Sequence, residues 1–249
     1  MNAAEVVAAL DLPAGARVEQ RVPKKLLLEN GAPTAADKRH INEGIEEFLW
    51  LAALKPTTIG VPEYRDGERE YLEIAVLRLA LRPGAKAGRL VELVHRAVPY
   101  PVLLLTECDD SCGVSAAHKR WSQGEAGQTV LDGSVIAAEG DAGEHWPALR
   151  ESLPLARQPR SSMQALYQGW VDTLLALQAA RVTGEFAIPA TREQAEARAE
   201  ALQEYTRLGA EMERLRGAAA REVQIARRVD VNLEIKRLQA AQDDARRKL

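Results

Sequence analysis

Cysteine is scarce in this 249-residue sequence, with only Cys108 and Cys112. Both fall in the run Cys108-Asp109-Asp110-Ser111-Cys112, and no second Cys/His pair lies nearby, so the spacing makes no zinc site. Two reduced thiols flanking a turn are expected, with a small oxidised loop as the alternative, and the lack of a disulfide framework fits a reducing compartment. Aromatics make up only 4% of the chain, so aliphatic and alanine side chains must fill the core, for which 46% hydrophobic residues suffice. No hydrophobic run approaches a bilayer span; Val102–Leu105 is far too short, and no membrane contact is expected. The stretch Met1–Val7 has neither a positive n-region nor a sustained apolar centre, which points to a cytoplasmic protein. Charge of one sign is lacking too. Lys+Arg 33 against Asp+Glu 36 gives a formal net charge of -3, which excludes a whole-protein basic field for nucleic acid and leaves only local contacts.

Motifs for familiar chemistry are missing as well. The glycines never form a phosphate loop, no GxGxxG follows a strand, and neither a GxSxG elbow nor an HExxH helix occurs. No cofactor, bound metal or catalytic residue is expected. The four histidines, His40, His95, His118 and His145, are scattered, with His40 and His95 on helix surfaces. A metal-dependent nuclease would need carboxylates and a lysine gathered at a sheet edge. Glu70, Glu73, Glu107 and Lys119 could supply them, but no D…ExK string stands on a predicted strand, so this remains a third reading.

What the sequence does contain is an α+β pattern: a head with a mixed β-sheet and helices packed on one side of it. A helix is predicted over Ala3–Leu10 and an edge strand over Ala16–Val22, closed by Pro23. Lys24–Gly31 reads as a short strand or a turn. Thr34 caps a helix whose buried side, Ile41, Ile45, Phe48, Leu49 and Ala52, carries it to Lys55-Pro56. Strands follow at Tyr71–Leu81 and Val102–Glu107, with a helix over Ala87–Val98 between them. The second strand is apolar on both faces. Gly113–Arg120 is its hairpin partner, and Gln128–Ala137 adds another strand with a turn or bulge at Asp132-Gly133. His145–Ser152 and Ser161–Arg181 are helical, the latter burying Met163, Leu166, Tyr167, Trp170, Leu174 and Leu177. The expected division is a head over 1–182, a linker over 183–190 and a charged helical extension over 191–249.

From Thr191 to Leu249 there is no proline, and a single helix would reach ~90 Å. Two apolar seams run along it. Tyr205, Leu208, Met212, Leu215 and Ala219 form one, which continues weakly through Ala226, Val229 and Leu233. Val231, Ile235, Leu238, Gln242, Ala245 and Leu249 form another, nearly opposite the first. The tail therefore changes partner or face near Val229–Leu233, as a coiled-coil interface or as an antiparallel hairpin broken near Gly217. Its charge changes too. Up to Leu215, four arginines stand against six glutamates; from Arg216 on, nine basic residues stand against five acidic ones. In the head the compact basic groups are Lys24, Lys25, His118, Lys119 and Arg120, with Trp121 beside them. They form one candidate patch for nucleic acid or a partner if their elements are neighbours.

Several stretches resemble the bacterial family called domain of unknown function 4391: Arg21–Lys25, Phe48–Ile59, Glu70–Ile74, Val94–Leu104, Ala117–Arg120 and, in the tail, Val229–Leu238. The resemblance implies no known activity and no catalytic residues. It implies a genomic setting beside SNF2-type helicases and DNA methyltransferases in restriction-like or phage-defence clusters. The expectation is thus a non-catalytic accessory subunit that docks on such a helicase or methyltransferase through its C-terminal helix, touching DNA weakly or indirectly. The alternatives are a coiled-coil homodimeric scaffold with no DNA role and, third, the nuclease.

Overall fold

A computed structural model describes residues 2–108, 111–125, 127–138 and 142–249. In chain order these form α1 (Ala3–Ala9), β1 (Arg17–Arg21), α2 (Lys24–Asn30), α3 (Ala35–Gly44), β2 (Ile45–Leu54) and α4 (Pro56–Ile59). Next come β3 (Tyr64–Arg65), β4 (Glu70–Tyr71), β5 (Ile74–Leu81), α5 (Ala87–Ala97), β6 (Val102–Cys108), β7 (Ser111–Trp121) and β8 (Thr129–Ala138). The chain ends with α6 (Trp146–Ser152), α7 (Met163–Thr183), α8 (Arg192–Arg221) and α9 (Ile225–Arg246). It divides into two compact units, one up to Leu174 and one over Leu175–Leu249, the division falling within α7. The fold is α+β. None of the described helices is long and apolar enough to cross a membrane.

The first unit is built on a six-stranded mixed sheet in the order β1-β2-β5-β6-β7-β8. Only β5 and β6 are parallel, joined through α5; the other neighbours are antiparallel. β1 is an edge strand, as its closing proline predicts. Helices cover both faces, which corrects the one-sided arrangement. Leu77, Leu79, Leu104, Ile45 and Phe48 pack with Leu90, Leu93 and Val94 of α5 and with Leu27 of α2. On the other face, the Tyr167 hydroxyl of α7 reaches the β6–β7 backbone. A sheet whose central strands are apolar on both sides needs two covers.

The predicted helix through Ala52 ends instead at Gly44, and Ile45–Leu54 is a strand. A Cβ at Gly44 would lie 2.9 Å from Leu90 Cδ1 and 3.2 Å from the Ala85 Cβ, so glycine lets the end of α3 meet α5. Two bulges in β2 explain the misleading periodicity. Ile45 pairs with Leu81 and Phe48 with Leu79, so these two share a face at a spacing of three. Leu49 and Ala52, opposite Arg78 and Val76, share the other face at the same spacing. Doubly bulged strands thus imitate helical spacing. The undecided segment after Pro23 is helix α2. Asp132-Gly133 does mark a bulge: Ala116 pairs with Ile136 but His118 with Asp132, and Gly133 takes φ 87.

Asp109 and Asp110 lie outside the described residues. Neither Cys108 nor Cys112 is in a disulfide. They lie on opposite faces of the sheet, Cys108 beside Ala87 and Val91 of α5, Cys112 beside Asn2 and Arg78, which leaves no geometry for a disulfide between them. Burial pushes the Cys112 thiol up to about 12.

In the second unit the tail is two helices, α8 and α9, and not one continuous rod. The break is at Glu222–Gln224, beyond Gly217, which stays inside α8. Glu222 leaves helical geometry at ψ 122, and its side chain accepts the Gln224 amide at 2.8 Å.

Candidate functional site

The basic residues do not form one patch. Lys24 begins α2, and its ammonium donates to the carbonyls of Ile45 and Asn42 at the end of α3. Arg82 donates to Asn42 at 3.1 Å and Glu43 at 2.9 Å. Both cations thus cap the C-terminal carbonyls of α3, where the helix dipole is negative. Lys25 is exposed and pairs with Glu29 one turn on, at 3.5 Å. This corner is the end of the sheet where β2 starts and β5 stops. His118–Trp121 lie at the other end, past the start of β6, since Ala117 faces Val102.

Strand alternation then splits His118-Lys119-Arg120-Trp121 between two faces. The Lys119 side chain turns toward α5, is 2% exposed, and donates to the His95 carbonyl. Burial lowers its pKa to about 8. His118 turns the other way. Its Nδ1 lies 2.5 Å from the Tyr71 hydroxyl, and its ring stands edge-on to Tyr167 with centroids 5.4 Å apart. Burial lowers the His118 pKa. Arg120 lies 3.8 Å from Asp132, whose carboxylate is already gripped by Arg69 through bonds of 2.8 and 2.6 Å. Trp121 is half-buried, its carbonyl accepting from Arg120 at 3.2 Å. The string that looked like a nucleic-acid contact is mostly structural.

The carboxylates weighed for a nuclease are kept apart as well. Glu70 pairs with Arg65 at 3.5 Å, Glu73 with Lys55 at 3.2 Å and Glu107 with Arg78, whose Nε is 2.6 Å away; Arg78 also holds Glu47 at 3.0 Å. Lys119 is buried on the opposite side of the sheet from Glu107. Among the described residues no cluster of His, Cys, Asp or Glu could hold a metal ion.

In the hairpin, chain reversal turns the two seams into a single interface. Leu208 and Met212 are buried on α8, with Tyr205 and Leu215 half-buried. On α9 the second seam is the covered side: Val231, Ile235 and Leu238 are half-buried, and Gln242 and Ala245 are buried. Gln242 Nε2 donates to the Tyr205 carbonyl at 3.0 Å, fixing the register. The continuation of the first seam is left outside. Val229 and Leu233 are 51% and 52% exposed, Ile225 is 72% exposed, and Val223 in the connection is 90% exposed.

Sequence reasoning missed a cleft of about 420 Å³ in the first unit. Its floor is Phe48, Trp50 and Leu77 on the sheet; its walls are Leu26 of α2 and the Ala97–Tyr100 turn after α5. The signals were present in Pro23, which bends the chain from β1 into α2, and in Pro99-Tyr100-Pro101, which turns it back from α5. The strand misread as a helix hid the floor.

A family model described as Domain of unknown function (DUF4391) matches residues 10–241. The chain belongs to this family. The DUF4391 match runs through both units and into α9, so the hairpin is part of what defines the domain. Three of the stretches that resemble the family, Arg21–Lys25, Phe48–Ile59 and Val94–Leu104, each contribute to the cleft lining. No curated protein and no solved structure matches the chain.

Proposed function

We propose that this protein is a non-catalytic interaction subunit that docks on a protein partner through the outward stripe of α9. The observation that carries the reading is the exposure of Ile225, Val229 and Leu233, three aliphatic side chains at successive turns of one helix. Such a stripe fits the apolar side of another amphipathic helix. Arg228 and Arg237 flank it, which favours a partner helix with acidic margins. The genomic setting implied by the resemblance makes the partner a helicase or DNA methyltransferase of a restriction or defence system, with DNA held mainly by that partner. Self-association through the same stripe is the competing use.

Val229→Glu/Leu233→Glu tests the assignment, because both positions are exposed and the covered seam is untouched. Co-purification with the neighbouring helicase or methyltransferase should be lost while far-UV helicity is retained. Light scattering separates the two uses: a wild-type dimer that the double variant converts to a monomer would favour the scaffold. Undiminished partner capture by the variant would refute docking through this stripe.

A further inference from the structure

The cleft over Phe48, Trp50 and Leu77 lies wholly within the first unit and has no part in the reading of α9. It takes Gln20 from β1, Phe48 and Trp50 from β2, and Ala75 and Leu77 from β5. A ligand in it therefore lies over the sheet face, not along the free edge of β1, which distinguishes the site from one for an added peptide strand. Leu26 and Tyr100 at the rim are 48% and 43% exposed, so the mouth is open. A volume of about 420 Å³ lies in the range of small-molecule sites, roughly 300–1,000 Å³.

Strand register decides which side chains reach the floor. Residues opposite each other on neighbouring strands point to the same face. Gln20 stands opposite Trp50, which stands opposite Leu77, so Gln20 is on the cleft side. Arg21, the charged residue of the lining, stands opposite Leu49, which stands opposite Arg78; its side chain belongs to the other face. The floor is thus free of charge. A carboxylate or an ammonium brought onto it would lose water and gain no partner. The Trp50 indole N–H is already committed to the Ala52 carbonyl at 2.9 Å, and the Asn30 amide to the Leu26 carbonyl at 3.1 Å. The Gln20 side chain is exposed and makes no hydrogen bond among the described residues. It offers both a donor and an acceptor to a molecule lying on the floor.

We propose that this cleft binds a small neutral molecule, its apolar body on the Phe48–Trp50–Leu77 floor and one hydroxyl, carbonyl or amide group hydrogen-bonded to Gln20. The apolar body, the single hydrogen bond and the exclusion of charge can be tested separately on the full-length protein.

Three naphthalenes of similar shape separate these contributions: 2-acetylnaphthalene carries a neutral acceptor, 2-ethylnaphthalene none, and 2-naphthoate a charge. In equilibrium dialysis the ketone should bind about fivefold more tightly than the hydrocarbon, the size of one neutral hydrogen bond. It should exceed naphthoate by about tenfold or more, because the anion finds no partner. Gln20→Leu should remove the advantage of ketone over hydrocarbon and keep both ahead of naphthoate. Gln20→Arg should strengthen naphthoate binding by about tenfold, by setting a cation on the cleft side. Melting curves establish that both variants are folded. Failure of the ketone to bind, as in a cleft filled by an apolar side chain of a partner or of this chain, would overturn the proposal. So would naphthoate held as tightly as the ketone, an undiminished ketone advantage in Gln20→Leu, or no gain of naphthoate in Gln20→Arg.

Discussion

Lys119 sits where a helix carbonyl has lost its ordinary donor. The residue four positions after His95 is Pro99, which has no N–H, so the His95 carbonyl in the last turn of α5 is served by the Lys119 ammonium instead. Burial opposes the charge and lowers the pKa from 10.5 to about 8. The unfolded chain therefore holds this proton more tightly than the folded one, and stability should rise as pH climbs from about 8 to 10.5. The shift corresponds to about 3 kcal/mol at most. Lys119→Met should flatten that rise in denaturation midpoints taken across the window. The His95 ring, expected on a helix surface, is instead buried against Ser115, with Nε2 2.9 Å from Oγ, and burial followed by the Lys119 charge depresses its pKa to about 3. The unfolded histidine takes a proton near 6.5 and the folded one does not, so stability should fall as pH drops from 6.5 toward 3. His95→Gln should remove this dependence while leaving the carboxylate-driven loss at lower pH. An identical acid profile in that variant would show that other groups govern the fall.

At the scale of elements, the two halves of the hairpin form one cooperative unit. Leu208→Ala removes a buried side chain from α8, which typically costs 2–5 kcal/mol. Amide exchange should accelerate in α9 as much as in α8, because the covered side of each is the other helix; acceleration confined to α8 would contradict the pairing. The break itself was hard to read, since Glu222-Val223-Gln224 contains neither glycine nor proline. The seam switch near Val229–Leu233 was the legible sign: two stripes nearly opposite on one rod become a single interface once the chain reverses. The elements with one clean period, α5, β6 and the first turns of α7, were legible for the same reason that β2 was not. Bulges add residues without adding alternation, and only the paired strand β5 reveals them. The site was less legible still. Adjacent basic letters in His118-Lys119-Arg120 suggest a patch, but in a strand adjacent letters face opposite ways, and which face is covered depends on helices distant in sequence.

At the scale of the first unit, the two covers of the sheet are attached differently. α5 is the connection between two neighbouring strands. α7 arrives from far along the chain, and a hydroxyl ties it to the backbone of the sheet: Tyr167 accepts the Ala117 amide at 2.8 Å and donates to the Val102 carbonyl at 2.7 Å. Those two residues face each other across β6 and β7, so the hydroxyl reads the register of that strand pair. The consequence is an order of events in folding. The binding point for Tyr167 does not exist until β6 and β7 have aligned, and it joins residues 50 and 65 positions apart. Docking of α7 should then come late, after the rate-limiting barrier. Tyr167→Phe should leave the refolding rate nearly unchanged and speed unfolding, with the whole loss of stability, about 1–3 kcal/mol, appearing in the unfolding limb of a chevron plot. A slower refolding limb would mean that α7 already guides the strands into register, and that the last helix of the first unit is among the first parts to form.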